Sequence, residues 1–148
     1  MTRWTIVTAF LAVALLAGCA SPREHVSSPL IDPGQAVLRA AAAPNRGITG
    51  VFALTVRGTG RTKIVHLNSE ADYRDPRNLS IAVVPAAAAE LERILGSRPE
   101  KALKGKRILV SGTAKRTRID FIVHGRATGK YYYQTHVKVT DASQITVL

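Results

Sequence analysis

From Val51 to Arg57 apolar and other residues alternate, with Phe52, Leu54 and Val56 on one side, and this period of two predicts a half-buried strand. Gly58-Thr59-Gly60 reads as a turn, and Lys63 to Leu67 as a second strand with Val65 and Leu67 facing inward. Asn68 to Asn78 is polar and predicts a loop; Leu79, Ile81 and Val83 supply the inner face of a third strand that stops at Pro85. The pattern then changes. Ala86 to Leu95 is rich in helix formers, begins behind a proline suited to a first turn and ends at Gly96, with Leu91, Ile94 and Leu95 on one face. Ser97 and Glu100 have capping-box spacing around Pro99, which predicts a second short helix running to Lys104. Ile108 and Val110 open a fourth strand, which the stretch Arg118 to His124 either prolongs or follows as a hairpin arm. Tyr131 to Val139 is the fifth, with Tyr131, Tyr133, Thr135, Val137 and Val139 expected in the core and Tyr132, Gln134, His136 and Lys138 outside. Asp141 to Gln144 is turn material before a last extended piece.

Three strands, a helical connection and two more strands is the element order of the five-stranded OB-fold, a small Greek-key barrel. The expected fold class is therefore mainly β, with this barrel over residues 47–148. Closing a barrel removes the sheet edges on which chains aggregate. Three stretches also resemble OB domains of uncharacterised exported bacterial proteins: Val65 to Glu70 with Asp72 to Pro76, Leu103 to Thr113, and Asp141 to Ile145. The resemblance implies the fold and, more loosely, a nucleic-acid-binding type of barrel; one fold hosts many ligands.

The N-terminal part has different chemistry. Arg3 precedes an apolar run from about Ile6 to Leu16, too short to span a bilayer, and Leu16-Ala17-Gly18-Cys19 closes it. This resembles a bacterial lipoprotein signal, which implies cleavage after residue 18 and acylation of Cys19. Residues 19–46 hold four of the seven prolines, with serines between them, and predict a tether. Within it Asp32-Pro33 and Gln35 to Ala43 predict a short helix. The expected location is the cell envelope, lipid-anchored, on the outer membrane facing the periplasm in a Gram-negative cell, since Ala20 rather than Asp follows the cysteine.

Charge narrows the partners. Lys and Arg number 21 against 10 Asp and Glu, a net charge of +11, of which the signal segment carries only Arg3. A field of this sign attracts polyanions without choosing among them. Arg98, Lys101, Lys104, Lys106, Arg107, Lys115, Arg116 and Arg118 lie close together in sequence against Glu100 alone, a candidate anion-binding face. Tyr132, His136 and Lys138 are candidate contacts on the outer barrel face.

Catalytic and metal chemistry has little support. The single cysteine is taken by the anchor, which excludes disulfides and cysteine-based zinc sites. His66, His124 and His136 fall on separate strands and His25 in the tether, without metal-ligand spacing. Glu70, Asp72 and Asp75 beside Asn68 could hold a hard cation, but they fit turn capping and pairing with Arg74 and Arg77 better. No nucleophile elbow or phosphate loop is present, and no cofactor is expected. The leading expectation is a noncatalytic envelope lipoprotein whose basic barrel binds an anionic envelope component or a protein partner. The alternatives are a barrel for single-stranded nucleic acid, and an enzyme assembled from isolated residues such as His66, Asp72 and His136.

Overall fold

Val56 and Arg57 are neighbours in the chain, yet their backbone amides bond to opposite ends of one sheet: Val56 N–H donates to Lys106 O (2.9 Å) and Arg57 N–H to Asn68 O (2.9 Å). In the computed structural model, which describes residues 29–148, that divergence joins the two ends of a curled, barrel-like sheet. The signal segment, Cys19 and the first part of the tether, including His25, lie outside the described residues.

The strands and helices run in the order β1 (Leu30–Ile31), α1 (Pro33–Ala42), β2 (Ile48–Thr55), β3 (Gly58–Arg61), β4 (Val65–Asn68), β5 (Leu79–Val83), α2 (Pro85–Leu95), α3 (Pro99–Ala102), β6 (Arg107–Val123), β7 (Arg126–Val139) and β8 (Ile145–Val147). The fold is mainly β. Across the sheet the order is β1-β2-β6-β7-β5-β4-β3, with β8 on the free side of the first part of β6. Pairing is antiparallel apart from β1 with β2 and β5 with β7. The parallel β5–β7 step requires a long crossover, which α2, α3 and β6 provide.

Residue alternation drives the inner face. Phe52, Leu67, Leu79, Ile81 and Ile108 are fully buried, as are Val65, Val83, Val110, Val137 and Val139. Removing each such side chain from water stabilises the fold by about 1.5–3 kcal/mol before chain entropy is counted. α1 starts where Asp32 accepts from Gln35 N–H (3.0 Å), and it buries Ala36 and Ala40 against β2 and β6. The helix predicted within the tether is thus docked on the sheet. α2 ends as expected at Gly96, whose φ of +71° is open to glycine at little cost.

Four local expectations are corrected. Gly58-Thr59-Gly60 is not a turn but the start of β3, paired with β4; a Cβ on Gly58 would sit 2.6 Å from Glu70 O, so backbone packs where a side chain has no room. Ile94 points to solvent, because α2 buries the face carrying Ala87, Ala88 and Leu91. Ser97 does not cap α3: the cap position is Arg98, and Glu100 instead takes ion pairs from Arg61 and Arg98 (both 2.6 Å), which tie α3 to β3 and hold its carboxyl down to about 2. Tyr131 and Tyr133 have the predicted parity but are 50% and 43% exposed, because they lie where β6 and β7 have run past the barrel. β6 is one strand through Arg118 to Val123, with a register shift between Asp120 and Ile122, and it turns back at His124 and Gly125, both at positive φ.

Gly47 supplies a direct test. Its φ is +70° and an added Cβ would lie 2.4 Å from Ala114 O, whereas Gly105, at φ +78°, faces open space. Gly47→Ala is expected to lower urea-unfolding stability by more than 2 kcal/mol on the order-of-magnitude scale of strain plus clash, and Gly105→Ala by about 1 kcal/mol. Equal losses would show that the approach of residue 47 to β6 is not tight.

Candidate functional site

With Val65, Leu67, Ile81, Val83, Val137 and Val139 inside, strand alternation sends His66, Ser80, Ala82, His136 and Lys138 to the outer face of β4, β5 and β7. Ser80 stands directly opposite His136, and His66 opposite Ala82. The two imidazoles consequently meet over β5, edge to face, with ring centres 5.9 Å apart. Ser80 is buried although it points away from the core, and its hydroxyl lies 3.3 Å from His66 Nδ1.

Gln134 sets the proton on His136. Its amide nitrogen donates to Tyr73 O (2.9 Å) and lies 3.2 Å from the Tyr132 hydroxyl, so its carbonyl oxygen is the atom 2.8 Å from His136 Nε2. That oxygen only accepts, so Nε2 carries the hydrogen and Nδ1 keeps its lone pair. Burial, and secondarily the His66 ring beside it, pulls the His136 imidazole from 6.5 to about 4; burial lowers His66 as well. Both rings are neutral at neutral pH.

The loop 69–78 forms one wall and is tied together by its polar residues. Asn78 donates to Asn68 Oδ1 (3.1 Å) and Tyr73 O (3.3 Å) and accepts from Glu70 N–H (3.1 Å), while the Ser69 hydroxyl accepts from Leu79 N–H (2.9 Å). Asp72 accepts from Arg74 N–H (2.9 Å), and Asp75 takes the Arg77 backbone and guanidinium (2.9 and 2.8 Å). Glu70 pairs with Arg57 at 3.2 Å. The loop carboxylates therefore serve turns and ion pairs. Among the described residues no group of three or more His, Cys, Asp or Glu is placed to hold a metal.

Between this loop, the β3–β4 connection and the β6–β7 hairpin lies a groove of about 500 Å³, lined by Thr59, Tyr73, Ile119, Tyr132 and Gln134 with the two histidines. Burial raises the Tyr132 phenol, keeping it protonated. Beyond His136 the surface continues as a second depression with Ile64, Lys115 and Lys138 on its walls. One strip thus has tyrosines at one end, neutral imidazoles in the middle and ammonium groups at the other. Tyr132, His136 and Lys138, singled out from sequence, are brought together here; His66, Gln134, Tyr73 and Lys115 complete the set. His66 and His136 are 70 positions apart in the chain, and only the parity of their strands pointed to a shared face.

The basic segment is divided by the same alternation. Arg98 is engaged with Glu100; Lys101, Lys104, Lys106 and Arg107 are exposed around α3 and the start of β6. Lys115 faces the groove, whereas Arg116 and Arg118 go to the opposite face and cover the rings of Tyr133 (3.7 Å) and Tyr131 (4.1 Å). Arg118 also pairs with Asp120 at 2.8 Å. Residues adjacent in sequence do not form one patch.

No protein-family model matches the chain, and no curated protein matches it. Among solved structures it is similar to aspartyl tRNA synthetase from Entamoeba histolytica, with a TM-score of 0.45 and 13% identity, over 98% of this chain and 28% of that one. The chain therefore spans under a third of that protein's length.

The depressed histidine makes stability depend on pH with a defined sign. The unfolded chain takes up a proton near 6.5 and folded His136 only near 4, so the stabilisation is complete above 6.5 and is lost as pH falls through that window. Urea midpoints are expected to drop between pH 6.5 and 4, and His136→Gln to remove the His136 part of that slope and leave the part due to the lowered His66. An NMR titration midpoint for His136 near 6.5 would contradict its burial.

Proposed function

We propose that the chain is a noncatalytic envelope lipoprotein, held by an acylated Cys19, whose OB-fold barrel binds an extended, ring-containing anionic polymer of the envelope in the groove over β4, β5 and β7. In this scheme β2 and β3 count as one bent first strand, β4 to β7 as the other four, and β1 and β8 are additions at the rim. The supporting observation is the order of chemistry along one continuous strip: Tyr73, which carries Arg74 over one face, and Tyr132, which Phe121 packs against, offer aromatic surface for rings, His66, His136 and Gln134 offer neutral hydrogen-bonding groups, and Lys115 and Lys138 offer charge. Aromatic rings with a few placed polar groups suit saccharide or base rings, and two lysines supply attraction without demanding one anion. Binding rather than turnover is favoured by a groove lining of His, Tyr, Gln, Ser and Thr with Arg61, whose guanidinium is engaged by Glu100, and without a carboxylate beside the imidazoles.

Single-stranded nucleic acid is the second reading, favoured by the same two tyrosines, which could stack on successive bases. Three probes separate the possibilities: polygalacturonate, with rings and charge; oligo-deoxythymidylate, with bases; and polyphosphate, with charge alone. The chain is expected to bind polygalacturonate most tightly in calorimetry. Tyr132→Ala should weaken it about tenfold, the loss of one stacked ring, and Lys115→Gln with Lys138→Gln should reduce its salt dependence. Preference for the oligonucleotide would select the second reading. Equal binding of polyphosphate, indifferent to Tyr132, would reject both.

A further inference from the structure

Past Thr117 and Gln134 the β6–β7 pair has no third strand beside it, and it extends as a two-stranded ribbon to the turn at His124-Gly125. From Arg118 to Val123 this is roughly 17 Å of strand. A bare ribbon of two strands is marginal in water. This one is held by side chains on both faces: Arg116 over Tyr133 and Arg118 over Tyr131 on one, Phe121 against Tyr132 (5.3 Å) on the other. At its tip Phe121, Ile122 and Val123 are 48%, 59% and 53% exposed.

Three consecutive apolar residues on a strand cannot share a face, even with the register shift at Asp120/Ile122. Their exposed surface wraps the tip, so a flat protein partner would cover one side and leave the other wet. An apolar medium covers all of it. Behind the tip stand Tyr131 and Tyr133, whose rings suit the level of lipid headgroups, with Arg116, Arg118 and Lys130, while Arg126 pairs with Val123 beside the turn; against these cations the ribbon carries the single carboxylate of Asp120. The ribbon's outer edges carry unpaired backbone groups, which restricts entry to the interface rather than the hydrocarbon centre.

We infer that the β6–β7 tip is a second membrane contact, with Phe121, Ile122 and Val123 entering the interface of an anionic lipid bilayer and the flanking cations resting on headgroup phosphates. This surface adjoins the ligand groove through Phe121, which packs against Tyr132, but none of Phe121, Ile122 and Val123 lines the groove. It rests on the envelope reading only for the nearness of a bilayer: the 11 residue steps from Cys19 to Leu30 span at most about 40 Å when fully extended.

The test uses the full chain as purified from its membrane, reconstituted in vesicles of phosphatidylcholine with phosphatidylglycerol, with bromine on the acyl chains as a contact quencher. Tryptophan is introduced by Phe121→Trp at the tip or by Leu38→Trp on the exposed side of α1, and the parent chain gives the background. Emission from the tip is expected to shift to the blue and lose intensity, that from position 38 to do neither. Neutralising Arg126 and Lys130 to Gln, or leaving out the phosphatidylglycerol, should reverse the tip signal by about tenfold in population. Equal quenching at both positions, quenching indifferent to anionic lipid, or self-association through the tip detected by cross-linking would overturn the inference. Mass spectrometry of the same sample reads acylation at Cys19 independently: an unmodified cysteine with a quenched tip rejects the anchor and keeps the contact, and an acylated cysteine with an unquenched tip does the reverse.

Discussion

The strand β6 has to change partners half way, and the rest of the molecule follows from how closely it can bend there. Ala114 is the crossing point, paired with Ile48 of β2 on one edge and Val137 of β7 on the other. Around it the side chains are small. A Cβ on Gly112 would lie 2.8 Å from the Val137 side chain, and one on Gly47 would meet the Ala114 carbonyl, so larger residues would hold β2 and β7 away and open the curl. With β6 bent, Val56 and Arg57 reach both ends of the sheet and the inner face becomes a closed apolar core.

Two surface features come from the same bend. Curling the sheet turns the outer faces of β4, β5 and β7 toward the hairpin, so that Tyr132 and Ile119 overhang His66 and His136 and a shallow surface becomes a groove. Because β6 and β7 outlast the strands beside them, their ends leave the barrel as a ribbon with a basic, aromatic shaft and an apolar tip. The large net charge is spread accordingly. Some cations are tied to Glu100, some face the groove, and some lie on tyrosine rings of the far face.

The inner faces of the strands were legible in the chain because alternation reports which residues share a side: Phe52, Leu54, Val65, Leu67, Leu79, Ile81, Val137 and Val139 are buried as read. Alternation does not report where a sheet stops, and so Tyr131 and Tyr133 have the right parity and the wrong environment. β3 carried no side-chain signal, since Gly58 is held by pairing to β4 and by close backbone packing, and Gly60 by pairing to β4. The groove was half legible. Tyr132, His136 and Lys138 follow from the parity of one strand, but their meeting with His66 depends on β5 lying between β4 and β7, a long-range pairing that local patterns do not encode. The basic run misled for a related reason: closeness in sequence along a strand places successive charges on opposite faces.

The proposed recognition along the strip from Tyr73 to Lys138 is tested by an amide and side-chain NMR titration with polygalacturonate. Saturable shifts confined to His66, Ser80, Tyr132, Gln134, His136 and the Lys115–Lys138 end are the predicted result. Weak shifts spread evenly over exposed Lys and Arg on all sides of the barrel, with the histidines unmoved, would contradict it.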